Sequence, residues 1–249
     1  HPPTAPAPPG PCHRPEAPTL VAVAHGSRDP AARRTVTALL DVVRAQRPGL
    51  RVRLGHLELD EPLLGDTLAA LPPGEVVLVP LLFGRGYHTR HDIPAVARAA
   101  RGHHCHLAAP LGPDPLLAEA LADRLAAAGA RDPDGVVLAA TGSRDPRSAA
   151  DAEATARLLS ARLGGVPVLP GYAGAAEPGI PGALDRLAAL GCRRPAVASY
   201  FTAPGHFATR CARAAAPHPV SAPLGDHPAL ARLVLHRYDQ AHSRALARG

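Results

Sequence analysis

The sequence has no lysine, methionine or tryptophan and few aromatic residues, and these absences exclude several classes of protein. Aromatic residues make up 3% of the 249 positions, and the 27 basic residues are all arginine. Proteins that bind single-stranded nucleic acid combine basic runs with aromatic side chains on which bases stack. We therefore expect no nucleic-acid partner, although the formal charge is +6 and the pI is about 9.8.

Cysteine is scarce as well, and long apolar runs are absent. The four cysteines are scattered and form no CxxC motif, which argues against an iron–sulfur or structural zinc site built from cysteine alone. Their spacing suggests no disulfide framework, so we expect a reducing, cytoplasmic environment. No apolar run reaches the length of a transmembrane helix, and we expect no membrane contact.

The abundance of arginine has two interpretations. In the first, the arginines form a solvated surface and reflect the composition of a GC-rich genome. In the second, some of them line a site for a polycarboxylate or phosphate ligand, because the planar guanidinium fork matches these groups.

The chain divides into a short leader and two similar halves. Residues 1–18 are rich in proline and lack the regions of a signal peptide, which predicts a disordered leader. The stretch LVAVAHGSRDP at residues 20–30 returns as VVLAATGSRDP at residues 136–146, with GSRDP identical. This internal repeat indicates two related lobes, which we place at residues 19–131 and 132–249.

Both copies of the repeat begin with a short, uninterrupted apolar run, which is typical of a strand buried on both faces of a parallel sheet. A polar loop follows, and then apolar residues at helical spacing. Strand-like and helix-like segments continue to alternate as far as about residue 130. The pattern predicts an α/β fold of two tandem homologous lobes, each a mostly parallel sheet flanked by helices.

Three further strands are predicted in the first half. Residues 51–59 alternate enough to form a strand, and residues 75–83 are the most strand-like stretch of the chain. The segment His103–His106, HHCH, resembles a metal-binding cluster. However, alternate residues of a strand point to opposite faces, so an edge strand is the favoured interpretation.

Two histidines and a glutamate of the first half are expected at one edge of the sheet. His25 follows the first strand, Glu58 lies near the end of the second, and His88 lies in the loop after the third. Ligands of open α/β sheets bind at the carboxyl ends of the strands. Two imidazoles and a carboxylate there could hold a divalent transition metal with positions open to a substrate. Alternatively, each could be an ordinary hydrogen-bonded loop residue.

The motifs around these three residues resemble a known family. AHGSRDP after a strand, then LExxEP, then VPLLFGRGYHTRHDIP are similar in order and type to the sirohydrochlorin chelatases, the class II, CbiX/SirB-type chelatases of cobalamin and sirohaem biosynthesis. Two tandem halves match the long form of that family. The resemblance implies insertion of Co²⁺ or Fe²⁺, with Ni²⁺ also possible, into sirohydrochlorin. It further implies metal binding by His25 and His88, a catalytic role for both and for Glu58, and no cofactor beyond the substrate metal.

The second half departs from this pattern. Thr141 stands at the position of His25 and Gly174 at that of Glu58, while His206 corresponds to His88. Thr and Gly cannot supply an imidazole and a carboxylate. We therefore predict one productive site per chain, with the second half as the far wall of a cleft for the flat macrocycle and His206 facing the site. One chain is then sufficient for one cleft, and its partners are sirohydrochlorin and a divalent metal.

Other residues of the rim loops are candidates for holding the eight carboxylates of sirohydrochlorin. We expect substrate contacts from Arg28, Arg85, Arg90 and Arg144. Gly84 and Gly86 would let their loop approach a flat ring closely. The alternative function is a binding protein that stores or delivers divalent metal or tetrapyrrole without catalysis.

Overall fold

The computed structural model describes residues 16–174 and 176–249 of the chain. The predicted leader, residues 1–18, lies almost wholly outside the described residues. Within the described ranges, no helix combines the length and the hydropathy needed to cross a lipid bilayer.

Strands and helices alternate through both halves, as the sequence predicts. In the first half the elements are β1 (Thr19–Ala24), α1 (Pro30–Gln46), β2 (Val52–His56), α2 (Leu64–Ala69), β3 (Gly74–Pro80), a π-helical turn (His88–Asp92), α3 (Ile93–Ala99), β4 (His103–Leu107) and α4 (Pro115–Ala127). In the second half they are β5 (Gly135–Ala140), α5 (Pro146–Arg162), β6 (Val168–Tyr172), α6 (Ile180–Ala189), β7 (Pro195–Ser199), α7 (His206–Ala215) and α8 (Pro228–Leu246).

Each half contains one parallel sheet. The strand orders are β2-β1-β3-β4 and β6-β5-β7, and every neighbouring pair is parallel. All six residues of β1 are buried, which explains its uninterrupted apolar composition. These sheets confirm the predicted fold class. β4 lies at an edge, as predicted for the HHCH segment, and His106 in it pairs with Glu75 of β3.

The two GSRDP motifs form the same turn from strand to helix. Asp29 caps α1, where its side chain accepts a hydrogen bond of 2.9 Å from the backbone N–H of Ala31, and Pro30 occupies the first turn. Asp145 and Pro146 do the same for α5. The motif is therefore a helix start that places its preceding residue at the end of a central strand.

Strand ends differ from those expected. The second strand ends at His56 rather than at residue 59, and the third ends at Pro80 rather than at residue 83. Pro80 has no N–H to donate, and just beyond it the N–H of Leu81 still donates to the carbonyl of Val23 in β1, at 2.8 Å. His88 was expected in a loop, but it is the first residue of a π-helical turn that runs directly into α3.

The last helix of each half packs on the other half. α4 lies against β7 and α5, whereas α8 lies against α1, β3 and β4. Leu20, Leu138 and Leu233 consequently belong to one apolar core that runs through both halves. Arg237 of α8, almost fully buried, donates hydrogen bonds of 2.8 and 2.9 Å to the carbonyls of Pro110 and Leu111. The halves are thus interlocked by an exchange of helices.

Candidate metal centre

His25 and Glu58 are neighbours because β1 and β2 continue to pair beyond their last regular residues. The backbone N–H of Leu57 donates to the carbonyl of Ala24, and that of Glu58 donates to the carbonyl of His25, each at 3.0 Å. This pairing brings the two side chains to the same rim. Nε2 of His25 lies 3.3 Å from a carboxylate oxygen of Glu58.

Gly26 is essential to this approach. Its φ of +103° lies in the region that disfavours other residues, and a Cβ atom there would lie 1.6 Å from the carbonyl oxygen of Glu58. Leu59, just after the glutamate, also has a positive φ, of 64°. The sequence alone does not explain why residue 26 is glycine. The structure does, because the loops after β1 and β2 touch at this position.

His88 completes the cluster. Its ring centroid lies 4.8 Å from that of His25, with the rings at 79° to each other. Its Nδ1 lies 2.5 Å from a carboxylate oxygen of Asp92. A carboxylate oriented in this way accepts the Nδ1–H and leaves the Nε2 lone pair for a metal. Asp92 was missed in the sequence, although its position four residues after His88 at a helix start was a usable signal.

The orientation of His25 is set in a similar way. Its Nδ1 lies 3.2 Å from the carbonyl oxygen of Gly26, which can only accept, so Nδ1 is the donor in the tautomer that leaves Nε2 free for a metal. Its Nε2, the atom that faces Glu58, is then the available donor atom for a metal. Both imidazoles therefore present Nε2, and the backbone or a carboxylate holds the opposite nitrogen.

The cluster is open to solvent. The side chains of His25, Glu58 and His88 are 40%, 56% and 38% exposed. Among residues 16–174 and 176–249, no three His, Cys, Asp or Glu side chains are already spaced as a metal cage. The two imidazoles and the carboxylate lie side by side, and their binding of one ion stays a prediction.

The predicted substrate arginines fall into two groups. Arg28 and Arg144 are exposed at the GSRDP turns. Arg85 and Arg90, by contrast, pair with carboxylates of the second half: Arg85 lies 2.8 Å from Asp151, and Arg90 lies 3.2 Å from Asp145. Each is still about half exposed, and contact with substrate stays a prediction for all four.

A cleft of about 600 Å³ lies between the loop that carries His88 and the GSRDP turn of the second half. Tyr87, Arg90, Arg144 and Arg147 are among the residues that line it. Arg147 was not predicted. It pairs with Asp145, and hydrogen bonds from Arg147, together with the positive charges of Arg147 and Arg90, lower the pKa of the Asp145 carboxyl.

The two glycines of the GRG segment differ in their surroundings. A Cβ atom on Gly84 would lie 3.6 Å from the Asp151 carboxylate, whereas the space around Gly86 is open. The backbone N–H of Gly86 donates to the hydroxyl of Thr89 at 3.2 Å, which ties the segment to the turn of His88. The close approach of a flat ring to these glycines stays a prediction.

The second half repeats the backbone of the site without its ligands. The N–H of Gly174 donates to the carbonyl of Thr141 at 2.9 Å, as the N–H of Glu58 does to His25. His206 begins α7, is exposed and packs its ring edge against Phe207, with 5.4 Å between centroids. That it faces the cluster across the cleft stays a prediction.

These features define a class: a two-lobed α/β protein with an imidazole–carboxylate cluster at the strand ends of one lobe. The CbiX family model matches residues 19–128 and again residues 135–241. The chain therefore belongs to the CbiX family, and the two matches correspond to its two halves.

Several known proteins are similar to this chain. The sirohydrochlorin cobaltochelatase of Methanothermobacter thermautotrophicus is 29% identical over 131 residues, which cover 44% of this chain and 91% of that protein. The protein of the same name from Methanopyrus kandleri is 33% identical over 78 residues, which cover 30% of this chain and 54% of that protein.

A solved structure shares the fold over nearly the whole chain. The sirohydrochlorin chelatase SirB from Bacillus subtilis subspecies spizizenii, in complex with cobalt, superposes with a TM-score of 0.76 at 24% identity. The match covers 91% of this chain and 95% of that one. The two-lobed architecture is therefore common to both proteins.

Proposed function

We propose that the protein is a sirohydrochlorin chelatase that inserts a divalent metal, Co²⁺ or Fe²⁺, into sirohydrochlorin for cobalamin or sirohaem biosynthesis. The observation that carries the proposal is the convergence of His25, Glu58 and His88 at the strand ends of a CbiX-family lobe. The names of the similar proteins support the same substrate and reaction.

The two imidazoles receive the metal. Nε2 of His25 and Nε2 of His88 bind the ion, because Gly26 and Asp92 hold the opposite nitrogens. Each neutral imidazole is a ligand that suits cobalt, iron and nickel alike, so the choice of ion follows from supply and from the substrate. The metal is the substrate of the reaction, and we propose no resident cofactor.

Glu58 carries protons away from the macrocycle. Insertion of M²⁺ forms bonds from the metal to the pyrrole nitrogens and releases two protons. The carboxylate of Glu58 accepts one of these protons, and the imidazole of His25, 3.3 Å away, accepts the other once it has given up the metal. Net charge balances, because the two positive charges of the ion enter the ring as the two protons leave.

The cleft between the halves holds the macrocycle. Its exposed guanidinium groups match the carboxylates of sirohydrochlorin, and Arg144, Arg147 and Arg90 line it directly. Arg28 extends the same basic rim on the first half. One chain supplies both walls, so we propose that a single copy is sufficient, acting in the cytoplasm.

Anaerobic absorbance of sirohydrochlorin mixed with the protein and each metal in turn tests the proposal. A chelatase converts many equivalents of sirohydrochlorin per protein, with a shift in the tetrapyrrole spectrum. A carrier protein, the alternative function, changes the spectrum by one equivalent at most. Conversion that stops at one equivalent with Co²⁺, Fe²⁺ and Ni²⁺ would refute the chelatase.

A further inference from the structure

The segment between β3 and the turn of His88 has little structure of its own. Its residues 81–86 include two glycines and form neither helix nor strand. Its N-terminal part is held by hydrogen bonds from Leu81 to Val23 and from Leu111 to Leu82. Further along, Phe83 stacks on Tyr200 of the second half with 4.4 Å between ring centroids, and Gly86 donates to Thr89 of the turn; Arg85, between them, contacts the second half.

Asp151 of α5, in the second half, holds this segment. One of its carboxylate oxygens accepts hydrogen bonds from the backbone N–H of Arg85 at 2.9 Å and from its Nε at 3.1 Å. The other oxygen accepts from Nη2 of Arg85 at 2.8 Å. One carboxylate thus fixes both the backbone and the side chain of a residue three positions before His88.

Asp151 is only 5% exposed, so its contact with Arg85 restricts the conformation of the segment. A buried carboxylate is costly unless charged donors satisfy it, and all three donors come from Arg85. Any other path of the segment would leave the carboxylate buried and unpaired. The contact therefore favours one conformation of the chain that leads into His88.

A second ion pair holds the other side of the turn. Arg90, two residues after His88, lies 3.2 Å from Asp145 at the start of α5. The turn of His88 is consequently tied to α5 both before and after the histidine.

The corresponding positions elsewhere in the molecule lack these contacts. By the repeat, Thr35 corresponds to Asp151, and its hydroxyl donates to the carbonyl of Ala31 within its own helix at 2.8 Å. Ala203 and Ala208 stand where Arg85 and Arg90 would be in the loop of His206. The ion pairs are therefore found on the loop that leads to the cluster with both imidazoles and the carboxylate.

We propose that Asp151 is a positioning residue for His88: through Arg85 it holds the loop so that Nε2 of His88 faces His25. The second half would then contribute to metal binding without supplying a ligand. This inference rests on the proposed function, because it assumes that His88 binds the metal.

The test is an anaerobic Co²⁺ titration of the full chain without tetrapyrrole. The d–d absorption of the bound ion measures the binding. We expect D151N to weaken Co²⁺ binding, by no more than the roughly 10- to 100-fold that loss of a direct hydrogen-bond partner of a ligand costs. The double variant D151N/R85Q should bind no more weakly than D151N, since both changes break one contact. Substrate is absent, so any role of Arg85 in holding carboxylates does not enter.

D239N is the matched control. Asp239 of α8 pairs with Arg47 of α1 at 2.5 and 2.9 Å, so it also joins the two halves, but through helices rather than through the His88 loop. Thermal unfolding of both variants measures the loss of stability. The Asp239 side chain is 47% exposed and that of Asp151 is 7% exposed, so we expect D239N to lose less stability than D151N and to keep wild-type Co²⁺ affinity.

Two results would overturn the proposal: wild-type Co²⁺ affinity in D151N, or an equal loss of affinity in D239N. If D151N fails to fold, R85Q, which shortens a half-exposed side chain, is expected to show the same loss of affinity. H25A and H88A separate this proposal from the function. If they too bind Co²⁺ as the wild type does, the metal site itself is wrong, whereas loss in these variants alone refutes only the role of Asp151.

Discussion

The loop after β1 carries His25, the loop after β5 carries Thr141, and the backbone around the two is the same. Both loops start a helix with an Asp cap and a proline, and both accept the same backbone hydrogen bond from the neighbouring strand. The ligands differ although the scaffold is shared. The repeat therefore preserved the architecture that places a residue at the strand end, while the residue itself changed.

The second half has another role in the molecule. Its helix α8 covers β3 and β4 of the first half, and its helix α5 holds the loop of His88. The half without the histidine and the glutamate thus still packs on the first half and contacts the loop of His88. Four experiments test this difference between the two halves.

The largest effect is expected from truncation at residue 131. The remaining first half would lose α8, which contributes Leu233, Val234 and Tyr238 to the common core. The apolar face that α8 covers would be exposed to water; at about 1.5–3 kcal/mol for each buried side chain, the loss is comparable to the roughly 5–15 kcal/mol by which a domain is stable. We expect no cooperative thermal unfolding by circular dichroism. A fragment that unfolds cooperatively and inserts metal would show that the halves are independent.

The next largest effect is expected from H25A and H88A. Each should lower the rate of metal insertion by roughly 10²–10⁴-fold, the usual contribution of a positioned catalytic imidazole. Both side chains are more than a third exposed, so the melting temperature should change little. The matched control is H206A, which alters the corresponding position of the second half. If H206A lost turnover and H25A kept it, the reaction would take place in the second half, and our assignment to the first half would be wrong.

G26A compared with G142A gives an intermediate effect. Both glycines have positive φ, +103° and +85°, so each substitution strains the backbone by about 1–3 kcal/mol. At Gly26 the new Cβ meets the carbonyl of Glu58, whereas at Gly142 it meets side-chain atoms of Ala176 and Tyr172. We expect both to lower the melting temperature but only G26A to weaken Co²⁺ binding. Equal losses of binding would mean that Gly26 contributes stability alone.

The smallest effect is expected from T141H. It restores an imidazole at the second strand end, but the position of the carboxylate is still Gly174, beside the carbonyl of Thr141. One imidazole without its partners should add no second activity. Metal titration should give a stoichiometry near one in both the wild type and T141H. Two equivalent sites in either protein would contradict the assignment of a single productive half.

Much of the molecule follows from the sequence because the determining patterns are local. A buried apolar strand, a helix start and the repeat predict the α/β lobes, and they place His25, Glu58 and His88 at one edge through the common direction of parallel strands. Even Asp92, though missed, lies within one turn of the histidine that it orients.

The tertiary structure alone decided how the halves depend on each other. Asp151 and Arg85 are 66 positions apart, and Arg237 lies more than 120 positions from the carbonyls that it binds. The sequence pattern cannot predict such pairs, because within its own segment each residue is indistinguishable from any other charged residue on a helix or a loop. Only the exchange of α4 and α8 between the halves brings them together, and there the cost of burying a charge makes each contact specific.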